Sequence, residues 1–231
     1  MSSLGEAAYR LLRAEIVTCR LAPGERLTER QLSARTGFGI SPVRDALTRL
    51  DQDGLVQTLP RRGYHVTPMT PGSIDELLDA WSVLGPELAR RGVRQADDRQ
   101  RARLAEGFTA VDELSRQTPG PELAFFIVAR LDEVFTTLVE AAGNRYLHTM
   151  YRGLSGDLSR LWVLTLSADP SLVGAESVAG LLTAIGQPAD GDALARSVTR
   201  TLASFRALVQ QTVMRWPSVT EAPLRAPDAP A

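Results

Sequence analysis

The sequence predicts a mostly α chain in two parts. A head of three helices and a strand hairpin comes first, and an all-α bundle of six to seven helices follows. Three observations predict this. Apolar residues recur at helical spacing through most of the 231 residues. The exceptions are two short stretches, Leu55–Thr58 and Tyr64–Thr67, which flank a Pro60-Arg61-Arg62-Gly63 turn and read as a hairpin. Charge is also uneven: residues 1–70 carry ten arginines against seven acidic side chains, and residues 71–231 carry sixteen against twenty.

The head is read element by element. Ala8, Leu12 and Ile16 form an apolar stripe, with Leu11 beside it, on a first helix over 5–19. Pro23-Gly24 breaks the chain. Thr28 and Gln31 have the spacing of a capping box, and Leu27 and Leu32 that of a hydrophobic staple, so a second helix starts at Thr28 and ends near Thr36-Gly37. After a very short connection, Ser41 suits an N-cap and Pro42 the first helical position of a third helix. That helix places Val43, Ala46, Leu47 and Leu50 on one face and Ser41, Arg44 and Thr48 on the other. Asp45 and Arg49 are spaced to pair. Three helices followed by a hairpin with a cationic tip describe a winged helix-turn-helix, expected over residues 1–69.

Such a head docks on double-stranded DNA with the N-terminal part of its third helix in the major groove. Arg44 then reaches a phosphate or a guanine edge, and Ser41 with the free amides at the helix start suits a phosphate oxygen. Arg61 and Arg62 on the wing reach the minor groove. Any one of these arginines alone is better read as a solvated surface charge, and it is the set, with the turn and hairpin in order, that points to DNA.

Composition excludes several other functions. All 26 basic residues are arginine, so lysine Schiff-base chemistry and a P-loop lysine are ruled out. One cysteine, Cys19, placed on the first helix, permits neither an internal disulfide nor a cysteine zinc cage, and two histidines leave little for a metal site. No apolar run is long enough to span a bilayer and no signal-peptide core is evident, so a cytoplasmic chain without membrane association is expected. No catalytic motif is present, and an enzyme is not expected.

The stretch LAPGERLTERQLSARTGFGISPVRDALTRLDQDGLVQTLPRRGYHV, residues 21–66, resembles the DNA-binding domain of the GntR family of bacterial transcription regulators. The resemblance is carried by Pro23-Gly24, Leu27, Leu32, Pro42-Val43-Arg44, Ala46-Leu47, Gly54-Leu55-Val56 and Gly63. It implies DNA contacts from Arg30, from Ser41, Pro42 and Arg44, and from the wing at Arg62-Gly63, to which Arg49 and Arg61 are added from the charge pattern. Where the family usually carries Ser-Arg before the Ser/Thr-Pro pair, this chain carries Gly39-Ile40. The family's operators therefore do not transfer, and Ile40 suits a thymine methyl instead.

From Pro68 to Gly72 the chain reads as a linker, and Ser73 to Glu76 as a capping box. Helices are expected over 73–95 with a kink at Pro86, and over 98–117, 121–142, 145–167, 171–185 and 191–214. They form a bundle over 73–216 with a Pro/Ala-rich tail at 217–231. LDEVFTTLVEAAGNRYL, residues 131–147, and Ala184-Ile185 followed by Asp192 and Ala195 resemble the FadR-type effector-binding domain, the FCD domain.

Many such domains hold a divalent metal on one Asp and three His. By resemblance Asp132 takes the Asp position, and Thr136, Ser177 and Thr201 replace the imidazoles. Trp81 and Gly85 replace an arginine and a glutamate of the first bundle helix. One carboxylate and three hydroxyls suit no transition metal, so no metal or other cofactor is expected.

What remains is a more apolar pocket whose candidate lining is Trp81, Asp132, Thr136, Ser177 and Thr201. The expectation is a regulator, commonly a repressor, that binds a pseudo-palindromic operator as a homodimer and answers a small-molecule effector. The alternative is an effector-blind or architectural DNA binder whose pocket has become packed core.

Overall fold

Ala8, Leu12 and Ile16 are fully buried along one side of helix α1 (Leu4–Val17) in a computed structural model that describes residues 3–60, 62–117, 122–168, 183–185 and 190–211. Leu11 does not join them: it is 40% exposed, because it turns away from the 8–12–16 line. The helix stops at Thr18, whose hydroxyl donates to the Ala14 carbonyl. Cys19 therefore lies beyond the helix, buried and with a left-handed φ of 57°.

Two compact units divide the chain, one over Met1–Ser73 and one over Ile74–Arg215. In the first, α1 packs on α3 (Ile40–Gln52) beside the short α2 (Glu29–Thr36). Leu12, Ile16, Leu32, Leu47, Leu50 and Val66 share one core. The hairpin is β2 (Val56–Leu59) with β3 (Gly63–Val66), paired antiparallel so that Leu59 faces Gly63. A strand not expected from the sequence, β1 (Arg26–Leu27), adds to the other edge of β3, giving the order β1-β3-β2. Two residues carry no periodicity, so pairing with β3 and the burial of Leu27 hold this strand in place.

The helix starts differ from expectation in instructive ways. Thr28 caps α2, its Oγ1 accepting from the Gln31 amide at 3.2 Å, but the Gln31 side chain accepts the Thr28 hydroxyl rather than the Thr28 amide, so only half of the box forms. Leu27 and Leu32 are both buried in the shared core. The N-cap of α3 is Gly39, not Ser41: the first ladder bond runs from the Val43 amide to the Gly39 carbonyl. Proline is tolerated throughout a first turn because those amides are unpaired anyway, so Pro42 does not fix the start. Asp45 does not pair with Arg49, which bonds Glu6 on α1 instead.

The second unit is helical throughout its described residues: α4 (Pro71–Gln95), α5 (Asp98–Ser115), α6 (Leu123–Ala141), α7 (Arg145–Ala168) and α8 (Gly191–Gln211). Helix α4 begins earlier than Ser73. Thr70 and Ser73 cap each other, each side-chain oxygen accepting the other's amide, and Pro71 opens the helix. Pro86 lies inside α4 without ending it. The expected 171–185 helix falls outside the described residues except for 183–185, and the 217–231 tail falls outside entirely.

Close contact sets the bundle. A Cβ on Gly92 of α4 would lie 2.5 Å from the Leu138 carbonyl oxygen of α6, so glycine alone permits that approach. At the start of α8 a Cβ on Gly191 would meet the Arg90 carbonyl oxygen at the same distance. Asp192 is there clamped by Arg90 at 2.8 Å and by Arg94 at 2.5 Å.

Candidate nucleic-acid interface and effector cavity

The turn between α2 and α3 is held locally. Gly37 takes the left-handed conformation at φ 76°, and the Ser33 hydroxyl donates to the Phe38 carbonyl at 2.7 Å. That turn fixes α3 so that Val43, Ala46, Leu47 and Leu50 are buried while Ser41, Arg44 and Thr48 are exposed on the far face. Pro42 carries no amide, so the unpaired donors at the start of α3 are those of Gly39, Ile40 and Ser41, next to the Ser41 hydroxyl. This is the donor set that a phosphate oxygen takes at a helix N-terminus.

Arg44 reaches across to α2. Its Nε and Nη2 each donate to a Glu29 carboxylate oxygen at 2.8 Å, and its side chain stays 62% exposed. The bonded guanidinium holds the Glu29 carboxyl below the usual carboxylate range, with a smaller lowering from the Tyr64 phenol of β3. Helix α2, helix α3 and the wing thus meet at one carboxylate. Sequence reasoning missed Glu29, because a partner fifteen positions away follows no helical spacing.

The other candidate residues are placed as follows. Arg30 on α2 and Arg62 on the hairpin turn are exposed. Gly63 opens β3 with φ 86°, and a Cβ there would stand 2.7 Å from the Leu27 carbonyl oxygen. Arg49 sits apart from Arg44, bonded to Glu6 at 2.6 Å with its guanidinium 3.9 Å over the Tyr9 ring. Arg61 lies outside the described residues.

A cavity of about 80 Å³ opens among α4, α5, α6, α7 and α8. Its aromatic wall comprises Trp81, Phe108, Phe135 and Trp162. Trp81 packs edge-on to Phe135 at 4.9 Å, and Trp162 stacks on Phe205 at 3.6 Å. Asp132, Tyr151, Ser155, Ser159 and Thr201 form the polar side, and the Tyr151 hydroxyl donates to Asp132 Oδ1 at 2.8 Å.

Of the expected lining, Trp81, Asp132 and Thr201 are brought together. Thr136 is not in the wall: the face of α6 that carries Leu131, Asp132, Phe135 and Leu138 leaves it to one side. Ser177 lies outside the described residues. The polar residues of α7 were missed, although Tyr151, Ser155 and Ser159 recur every four residues, which is a legible stripe.

A divalent metal does not fit this donor set. Among the described residues Asp132 is the wall's one carboxylate, its neighbours there are hydroxyls, and transition ions call for imidazole or thiolate. Among the described residues no three His, Cys, Asp or Glu converge.

Comparison with known proteins agrees with this architecture. The profile of "Bacterial regulatory proteins, gntR family" matches residues 4–66, and that of the FCD domain matches residues 76–211. The HTH-type transcriptional regulator BphR of Paraburkholderia xenovorans (strain LB400) is 37% identical over 116 residues, 50% of this chain and 47% of that protein. The HTH-type transcriptional repressor RspR of Escherichia coli (strain K12) is 37% identical over 71 residues, 31% of each chain. The matches thus span less than half the length of these relatives. The solved structure of E. coli McbR/YncC shares the fold, with a TM-score of 0.75 at 21% identity over 91% of this chain and 99% of that one. A helix-turn-helix head carrying Arg44 and an FCD bundle around Asp132 place the chain in the gntR family of bacterial regulatory proteins.

Proposed function

We propose that the chain is a repressor that binds a pseudo-palindromic operator as a homodimer and releases it when a small organic effector enters the cavity. The observation that carries the DNA half is the exposed Ser41–Arg44–Thr48 face of α3, with Arg30 of α2 and Arg62 of the hairpin turn exposed as well. In this reading residues 1–69 read the operator, one head per half-site, and residues 73–216 hold the dimer and the effector. The repressor name of the RspR relative supports the sign of control.

The cavity supports an effector over the packed-core alternative. A core filled to ordinary density leaves few voids larger than a water molecule, and this one exceeds the roughly 10–15 Å³ that a single water needs. A ligand shifts the two heads only by binding one of their arrangements better than the other.

The test is operator selection from a random DNA pool, followed by sedimentation of the protein on the selected site. Two protomers on an inverted repeat, lost with Arg44→Ala, are expected. A single protomer on an asymmetric site overturns the dimer reading.

A further inference from the structure

We propose that the cavity of the second unit takes a small organic cation, an amine of about four non-hydrogen atoms. The inference rests on reading this cavity as the effector site and assigns the ligand's chemical class.

Charge comes first. Among the described residues Asp132 is the one formally charged side chain in the wall. Every basic residue of the chain is arginine, and among the described residues none lines the cavity. An anionic ligand would be placed beside a carboxylate with no counter-charge in the wall, which desolvation penalises strongly. A hydrocarbon would leave Asp132 with the Tyr151 hydroxyl but supply no charge to offset the carboxylate's lost water. An ammonium group satisfies the carboxylate and donates to the acceptor oxygens of Ser155, Ser159 and Thr201.

The aromatic residues agree. Trp81, Phe135 and Tyr151 form a triad, with ring centroids 4.9 Å, 6.0 Å and 6.4 Å apart pairwise. All three line the same cavity as Asp132, and Tyr151 is bonded to it. Electron-rich rings grouped around a carboxylate attract a cation within about 6 Å of a ring centre. Gly85 makes this arrangement possible, since a Cβ there would sit 3.0 Å from the Trp81 indole.

Size sets the limit. The cavity of about 80 Å³ is near half the roughly 150 Å³ engineered cavity that holds benzene. The ligand class is therefore a short aliphatic amine rather than a polyamine or an aromatic one.

Three isosteric probes test the proposal on the full chain: isopropylamine hydrochloride, propan-2-ol and sodium acetate, at neutral pH and matched ionic strength. Thermal melting and tryptophan emission are read across a concentration series. Isopropylammonium should raise Tm saturably and shift the emission, while the other two do neither. Asp132→Asn should weaken that binding at least tenfold. Ser159→Leu, which fills the space without touching the carboxylate, should abolish it.

A saturable shift with acetate or propan-2-ol equal to that of the amine overturns the cation assignment and leaves the cavity a ligand site. Amine binding unchanged in both variants overturns the site. No shift with any probe overturns both the cation and the effector reading. Operator affinity measured in the same titration is a separate readout: amine binding without operator release supports the cation site and overturns only the coupling in the proposed function.

Discussion

Arg44 of α3 is clasped by Glu29 of α2 through two parallel bonds of 2.8 Å each, with most of its side chain in solvent. The guanidinium that the proposed function puts on DNA is thus preorganised by a residue of the neighbouring helix. A fork held this way presents its remaining donor edge in one orientation, which suits bidentate reading of a base better than roaming over phosphates. Glu29→Gln should loosen it. Affinity for random duplex should rise, and the salt dependence should steepen by about 0.9 in log–log slope, the value of one added phosphate contact. Discrimination between operator and random DNA should fall. Fluorescence anisotropy across a salt series checks this, and an unchanged slope means Arg44 stays paired.

Arg49 offers the contrast. It is bonded to Glu6 and lies over Tyr9, so it ties α3 to α1. Arg49→Ala should lower the melting temperature of the head while leaving the salt slope of DNA binding unchanged. Arg44→Ala should do the reverse, at about 1–3 kcal/mol of operator affinity and little change in melting. A salt slope shallower by about one contact in the Arg49 variant would return that residue to the DNA surface.

The wing turns on Gly63. Its φ of 86° disfavours any side chain, and the Leu27 carbonyl oxygen of β1 occupies the space a Cβ would need. Gly63→Ala should destabilise the first unit by more than about 1 kcal/mol, because strain and a backbone clash add. Urea unfolding monitored on the sheet signal reads the loss. A stable variant with weakened operator binding would show instead that the wing shifts as a body.

Acid should unlatch α8 from α4. Arg90 bonds Asp192 and, with Arg94 beside it, holds this carboxyl below its ordinary range. A depressed folded-state pKa gives a contribution that is complete above the ordinary carboxylate pKa and lost as pH falls through the depressed value. Between about pH 5 and pH 2 the wild-type melting temperature should therefore fall more steeply than that of Asp192→Asn. Parallel curves would show that the clamp adds nothing to stability.

Much of the head was legible because its signals are local. The Leu27–Leu32 staple spacing, Gly37 and the 43–46–47–50 face each follow from a few neighbouring residues, and each lies where the spacing puts it. What was missed depends on distant partners. Arg49 had an acid four positions back in Asp45 yet bonds Glu6, because packing of α1 on α3 brings Glu6 closer. Strand β1 is two residues long and exists only because β3 lies beside it. In the bundle, the spans of the described helices were readable from periodicity. The cavity wall was not, because it is assembled from five helices and the rotation of each about its axis is set by contacts such as Gly92 on Leu138. Arg160 on α7 pairs with Asp157 three positions back, a local spacing, but its full burial had no sign in the sequence.

In the proposed function a chamber of about 80 Å³ limits how sensitive the regulator is to its signal. The best very small ligands gain about 1.5 kcal/mol per non-hydrogen atom, so an occupant of about four atoms binds with at most about 6 kcal/mol. That corresponds to a dissociation constant in the tens of micromolar at the tightest. A gene under this control would answer to an abundant metabolite pool and ignore traces, and retuning it to a scarce signal would require carving a larger room.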